Sequence, residues 1–338
     1  MKKQKLLKSI LIPTLGISAI GTIAAVSTSC GKKDDPSSLQ SIIITANEDS
    51  SFSLVNVGEN NPNLQYSIDG KNWNEYSESG EIPILSGTQL YLRGNNPTGW
   101  SKGFSQYSTL SITGDASITG NVMGLLDNGA TSEEDITDIP CDYCFSGLFL
   151  DSTGITSISD DFLPATNLVP YCYHKMFQGC TLLTTAPNLP AITLVYNCYR
   201  CMFQDCTSLT TTPKLPATTL VDGCYANMFQ GCTSLTTAPD LPATKLQMNC
   251  YSNMFAQCTS LTTAPDLPAT SLPQFCYYQM FNSCTSLNSI KIGYTGNYNS
   301  KYFSGWVEGV ADSGTFYYNG SQTAQDFGFP EGWTAQPY

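Results

Sequence analysis

The chain has 338 residues, with 15 Lys and Arg against 27 Asp and Glu and a formal net charge of −12. This length is enough for more than one domain. An acidic surface with few basic residues repels phosphate backbones and anionic lipid headgroups, so we expect no nucleic-acid partner and no charge-driven binding to membranes.

Residues 1–30 have the features of a secretory signal peptide, because four lysines precede an apolar run over residues 10–26. The sequence Val26-Ser-Thr-Ser-Cys30-Gly31 resembles the lipobox of bacterial lipoproteins, with Ser27 where Leu is usual. The resemblance implies cleavage before Cys30, lipidation of Cys30 and a lipid-anchored protein on the bacterial surface. An ordinary secretory signal with an incidental cysteine is the alternative.

Two regions of different character follow the signal. Residues 31–40 are polar and contain Pro and Ser, which is typical of a tether. Residues 41–115 contain short alternating segments bounded by turn residues, which predict a small all-β, sandwich-like domain. Within it, Asp69-Gly70 is a strong hairpin signal.

A 26-residue unit then repeats without slippage. The copies begin at Cys172, Cys198, Cys224 and Cys250, and a partial copy begins at Cys276. A second cysteine recurs eight residues later in each copy, at Cys180, Cys206, Cys232, Cys258 and Cys284. A fixed period of this length is typical of stacked units that cannot bury their apolar faces alone.

The pattern within one copy predicts the order of its elements. Cys172, Met176 and Cys180 recur every four residues, which predicts the inward face of a two-turn helix. Leu183 to Ala186 then predicts a short strand that ends at Pro187, since proline lacks the ladder donor. Helix, short strand and proline-rich return predict an α/β solenoid of leucine-rich repeats with period 26.

The predicted solenoid has its own boundaries and ends. It covers residues 171–292 and is preceded by a junction at 116–170 that contains a degenerate N-terminal repeat. Residues 293–338 are predicted to form a C-terminal cap that contains Trp306 and Trp333.

The string MFxGCTSLTTAPxLPAT resembles the BspA-like class of bacterial leucine-rich repeats, and the resemblance covers about residues 141–292. It implies a surface-exposed protein, since several members of that family act in adhesion to host proteins or to other cells. The partners implied are surface or matrix proteins of a host or a neighbouring cell, with glycans as a further class. No particular ligand is implied.

The residue pattern offers little support for catalysis. The single histidine, His174, lies at a variable repeat position and is predicted to be a solvated helix residue. We therefore expect no enzyme, no catalytic residue, no cofactor and no metal site. The cysteine columns are predicted to pack as small apolar groups, with Cys141 and Cys201 outside them, and the choice between thiols and disulfides stays open.

Two columns are candidates for a binding face. One consists of strand threonines, namely Thr184, Thr210, Thr236 and Thr262. The other consists of tyrosines next to the first cysteine, namely Tyr173, Tyr199, Tyr225 and Tyr251. Threonine also suits strands, and a tyrosine stripe can instead cover the edge of a core, so both columns have structural alternatives.

Three functional hypotheses follow. Adhesion and protein recognition through the repeat face is the main one. A second is a glycan-binding module that uses the aromatic residues of the β-domain, namely Tyr66, Trp73, Tyr91 and Trp100. A third is a structural coat or decoy protein without a dedicated ligand.

Overall fold

The computed structural model describes residues 41–77, 80–127 and 138–338. The predicted signal peptide, its Cys30 and the tether therefore lie outside the described residues. The described residues are rich in β-structure and almost free of helix: one α-helical turn, α1, spans Ser300–Phe303, and two short 3₁₀ helices span Val122–Leu125 and Gln325–Phe327.

The N-terminal part consists of two sheets. Its strands are β1 (Ile42–Ala46), β2 (Ser50–Val57), β3 (Gln65–Ser67), β4 (Asn74–Glu75), β5 (Ile82–Ile84), β6 (Gln89–Arg93), β7 (Tyr107–Thr113) and β8 (Ala116–Gly120). One sheet has the order β4-β3-β6-β1-β8 and continues to β9 (Ile155–Ile158), while the other has the order β5-β2-β7. All pairs are antiparallel except β8 with β9.

Alternation along the strands gives each sheet one buried face. Ile42 and Ile44 of β1 are buried, as are Phe52 of β2 and Leu110 and Ile112 of β7, and all belong to one hydrophobic cluster. Two sheets that share a core are what a sandwich-like arrangement requires. The predicted hairpin is confirmed, because β3 pairs with β4 in an antiparallel manner across the Asp69-Gly70 turn.

The repeats continue from the first sheet by parallel pairing. Ser157 of β9 bridges Thr185, and Thr185 bridges Thr211 26 residues later. The same pairing joins Thr237 to Thr263 and Thr263 to Ser289. The last copy then pairs in parallel through β10 (Ser289–Lys291) with β11 (Ser313–Tyr317) and β12 (Gly332–Gln336).

The predicted two-turn helix is wrong, because each copy begins with a run of consecutive turns. The Met176 and Cys180 amides donate to carbonyls three residues earlier, on Tyr173 and Phe177. Every second amide instead donates to the next copy: Tyr173 N–H donates to the Cys198 carbonyl at 3.1 Å, and Phe177 N–H donates to the Met202 carbonyl at 2.9 Å. A four-residue turn period buries every fourth side chain as a helix does, so Cys172, Met176 and Cys180 still point into the core.

Left-handed backbone recurs every fourth residue in these turn segments. In the second to fourth segments the positive-φ positions are Asn197, Cys201 and Asp205; Gly223, Asn227 and Gly231; and Asn249, Asn253 and Gln257. Gly, Asn and Asp are the residues that tolerate this conformation best. Their spacing is the sequence signal that distinguishes turns from a helix.

Aromatic side chains fill the repeat core and close its end. Phe177, Phe203 and Phe229 stack with ring centroids 5.5 and 5.8 Å apart and nearly parallel planes. At the C-terminal end, the buried Trp306 indole lies 6.4 Å from Phe281 and donates to the Phe327 carbonyl at 2.9 Å. The segment after residue 292 thus covers the last copy.

Two substitutions at equivalent positions distinguish turns from a helix by the sign of their effect. Gly231 has φ of +74°, so Gly231→Ala should lower the free energy of unfolding by about 1–2 kcal/mol. Gln257 has φ of +64°, so Gln257→Gly should raise that free energy. In a helix, Ala is favoured over Gly by about 1 kcal/mol, and both effects would reverse. Urea unfolding midpoints of the two variants measure the sign of each effect and so distinguish turns from a helix.

Candidate functional site

The threonine column is exposed, as a binding face requires. Thr184, Thr210, Thr236 and Thr262 all have exposed side chains. Part of their bonding capacity is used within the fold, because Thr184 Oγ1 donates to the Thr156 carbonyl at 3.0 Å and Thr210 Oγ1 donates to the Thr184 carbonyl at 3.2 Å. A hydroxyl that donates can still accept, so these two present an acceptor oxygen to solvent.

The tyrosine column, the second candidate for a binding face, is buried. Tyr173, Tyr199, Tyr225 and Tyr251 are each no more than 2% exposed. Their rings stack at centroid distances of 5.9–6.1 Å. In a helix a tyrosine next to the inward cysteine would flank the core, whereas the turn segment buries both Cys172 and Tyr173. The tyrosines are core residues and are not available to a ligand.

One tyrosine hydroxyl provides a test of this packing. Tyr173 Oη is buried and has no hydrogen-bond partner among the described residues. A buried polar group without a partner costs about 1–3 kcal/mol, so Tyr173→Phe should raise the free energy of unfolding by about 1 kcal/mol. Tyr173→Ala should lower it by about 3–5 kcal/mol, because it empties the stack. Thermal and urea unfolding measure both; a marked loss of stability in the Phe variant would contradict the packing described.

The thirteen cysteines in the described residues are all free thiols. The second column makes a repeated contact, in which each thiol donates to a phenylalanine carbonyl of the preceding copy. The Sγ to oxygen distances are 3.1 Å for Cys206 with Phe177, 3.1 Å for Cys232 with Phe203 and 3.0 Å for Cys258 with Phe229. Burial raises the pKa of these thiols, which keeps the donating hydrogen in place.

Cys141 and Cys201 differ from the column cysteines in opposite ways. Cys201 is buried, and burial raises its pKa. Cys141 is half-buried, and a hydrogen bond with the Cys144 side chain lowers its pKa. Burial, with the same hydrogen bond, raises the pKa of Cys144. Among the cysteines that the structure describes, Cys141 therefore has the most thiolate character at neutral pH.

Alkylation with iodoacetamide should therefore be selective. In the folded protein Cys141 should be modified first, with a half-maximal rate at a pH below that of an ordinary thiol, because its pKa is lowered. The buried column thiols should react only after denaturation. Peptide mass spectrometry over a pH series measures the order of modification, with Cys141→Ser as the control. Fast labelling of Cys206 or Cys232 in the folded state would contradict the buried thiol columns.

The prediction that His174 is a solvated helix residue is also wrong. His174 is 4% exposed, and its Nδ1 lies 3.3 Å from Ser146 Oγ. Burial, with nearby Lys175 and Arg200, lowers its pKa to about 3. A neutral imidazole packed at 5.3 Å against Phe104 is a structural side chain here.

The structure does not bring the four aromatic residues of the β-domain together. Trp100 is fully buried and donates to the Ser108 carbonyl at 2.8 Å. Trp73 lies against the Arg93 guanidinium. Tyr66 is in register with Leu92 and packs against the core, whereas Tyr91 is the next residue along β6 and faces the opposite way. These residues form no common site.

The turn segments also form a polar cleft, the turn-face cleft, which is not predicted from the sequence. It has a volume of about 210 Å³ and spans the second to fourth turn segments. Its lining includes Tyr196, Asn197, Arg200, Asp222, Asn227 and Asn249. The sequence signal for this cleft is that its lining positions differ from one copy to the next, whereas core positions hardly vary.

Comparison with protein-family models, curated proteins and solved structures finds no match for this chain. Among the described residues no helix is long and apolar enough to cross a membrane. In the same parts of the chain no group of three or more His, Cys, Asp or Glu side chains is placed to hold a metal ion.

Proposed function

We propose that this chain is a lipid-anchored bacterial surface protein of the BspA-like leucine-rich-repeat class, and that it acts in adhesion through its repeat surface. The proposal includes the solenoid architecture with period 26. Parallel pairing at a spacing of 26 residues and the hydrogen bonds between successive turn segments support it. Lipidation at Cys30 and a location outside the cell rest on the signal and lipobox-like sequence.

One observation carries the adhesive function: equivalent core positions are nearly invariant between copies, whereas exposed positions form continuous faces. The side chains of the Phe and Tyr columns and of both cysteine columns point inward and pack in the core, so they are not available to a ligand. The exposed threonines form one outward face, with hydroxyls at the same position in each copy. A long exposed surface of this kind suits recognition of a macromolecule.

The coat hypothesis differs from adhesion by having no ligand, and the glycan hypothesis differs by its site. Burial of Trp100 and the opposite orientations of Tyr66 and Tyr91 disfavour a glycan site in the β-domain. Among macromolecules the acidic chain favours partners that are not polyanions, because like charges repel.

A binding assay with the full chain tests the proposed function. Bacteria that lipidate exported proteins express the wild type and Cys30→Ala, and cell fractionation should find only the wild type held in the membrane fraction. Cells with the wild type should bind immobilised matrix proteins from a purified panel.

Paired variants then locate the adhesive face. Thr210→Lys with Thr236→Lys places charge on the exposed threonine face and should reduce binding about tenfold, the equivalent of one lost interface contact. Thr218→Lys with Thr244→Lys makes the same chemical change at exposed positions of the return and should leave binding unchanged. Equal effects of both pairs would rule out the threonine face. Absence of binding by correctly folded, surface-located wild type would favour the coat hypothesis.

A further inference from the structure

We propose that the turn-face cleft binds one ring of a neutral saccharide. This inference rests on the proposed recognition function and gives a ligand class to one part of the repeat surface. It concerns a different surface from the threonine column and a different region from the β-domain.

The cleft exists because the third turn segment carries two small residues next to larger side chains of the second. Gly223 stands where the neighbouring segments carry Asn197 and Asn249. Ala226 stands where the second segment carries the exposed Arg200 and the fourth carries the small Ser252. A Cβ atom at Gly223 would clash with the Asn197 amide oxygen, so the backbone of Gly223 forms part of the floor. Ala226 and Ser252 thus leave a depression next to the larger Arg200 side chain.

The lining offers both donors and acceptors, as a hydroxyl-rich ligand requires. Amides of Asn227 and Asn249 can donate and accept, and Arg200 supplies guanidinium donors at the rim. Asp222 accepts one bond from the Met248 amide at 3.0 Å and has further acceptor capacity. Because one cation and one anion lie in the lining, the cleft carries no net charge and favours a neutral ligand.

The size of the cleft sets the size of the group it can hold. Its volume of about 210 Å³ is below the roughly 300–1,000 Å³ of sites that enclose drug-sized ligands. A single sugar ring is of suitable size, and the rest of an oligosaccharide would extend along the surface. The polar lining also argues against an apolar anchor of a protein partner, which is usually held in an apolar pocket.

An aromatic rim adds the apolar contact that sugar recognition uses. Tyr196 is 48% exposed, and its ring lies 5.3 Å from Tyr171 in an edge-to-face arrangement. Tyr171 in turn stacks on Tyr143 at 4.4 Å and contacts Phe104, which is 58% exposed. The rim therefore extends from the exposed Tyr196 ring at the cleft to the first copies. Aromatic rings offer a rigid, amphipathic surface for the C–H faces of a sugar.

A glycan array with the mature full chain tests the inference. The array carries neutral oligosaccharides ending in galactose, mannose or N-acetylglucosamine, together with sialylated and sulfated ones. Wild type should bind neutral members. Tyr196→Ala should weaken that binding about tenfold by removing the aromatic contact, and Ala226→Arg should weaken it at least as much by filling the floor.

The control variants separate a lost site from a lost fold. Arg already occupies the equivalent position as Arg200, so the repeat tolerates this side chain, and unfolding midpoints should confirm it. Thr236→Ala lies on the threonine face and should leave glycan binding unchanged. Binding confined to anionic glycans, no glycan binding by folded wild type, or undiminished binding by both cleft variants would each overturn the saccharide site.

The matrix-protein assay on the same variants distinguishes the two proposals. Wild type that binds a matrix protein but no glycan, with Ala226→Arg equal to wild type, would overturn the saccharide site and leave adhesion standing. Loss of both activities in Ala226→Arg would mean that the adhesive ligand is recognised through its glycans.

Discussion

The hydrogen bonds between successive turn segments are the constraint on which the repeat structure depends. In each segment alternate amides close turns locally, and the others donate to the carbonyls of the following copy, as Tyr173 does to Cys198 and Tyr199 does to Cys224. One segment alone would leave half of its amides without partners, and unpaired buried amides are costly. A copy is therefore stable only between neighbours, which explains why β9 precedes the array and why residues after 292 follow it in parallel pairing.

Side chains repeat the same register and reinforce it. A fixed offset between copies places each phenylalanine on the next one and each second-column thiol against a phenylalanine carbonyl. Because the thiol hydrogen has a defined acceptor, cysteine here is a small donor as well as a small apolar side chain. Serine at this position would place a strongly polar hydroxyl in an apolar environment. Alanine would leave the phenylalanine carbonyl with only its backbone donor, as Phe177 has in the Cys180 amide. The chemistry of the column explains its uniform composition.

Several features of this fold could be predicted from the sequence, because they depend only on period and polarity. The inward positions of Cys172, Met176 and Cys180 and the Asp69-Gly70 hairpin are of this kind. The local conformation was not predictable from apolar spacing, since a turn run with period four and a helix bury the same residues. Tyr173 and His174 were misplaced for that reason alone: once the segment is a turn run, both are buried. The turn-face cleft depends on Gly223 and Ala226 in the third turn segment. The sequence shows that these positions vary between copies, but only the structure shows that they line one cleft.

Near identity between copies has a consequence for how the chain finds its native alignment. Shifting the array by one whole unit would replace each Phe, Tyr and Cys contact by an equivalent contact, so the interior alone discriminates weakly between alignments. Discrimination comes from the ends, where β9 pairs with β8 and Trp306 covers Tyr277 and Phe281. Neither end has an equivalent within the array. The terminal segments thus select one alignment from several whose interior contacts are equivalent. A chain that lacked these segments would be prone to exchange whole units with another molecule.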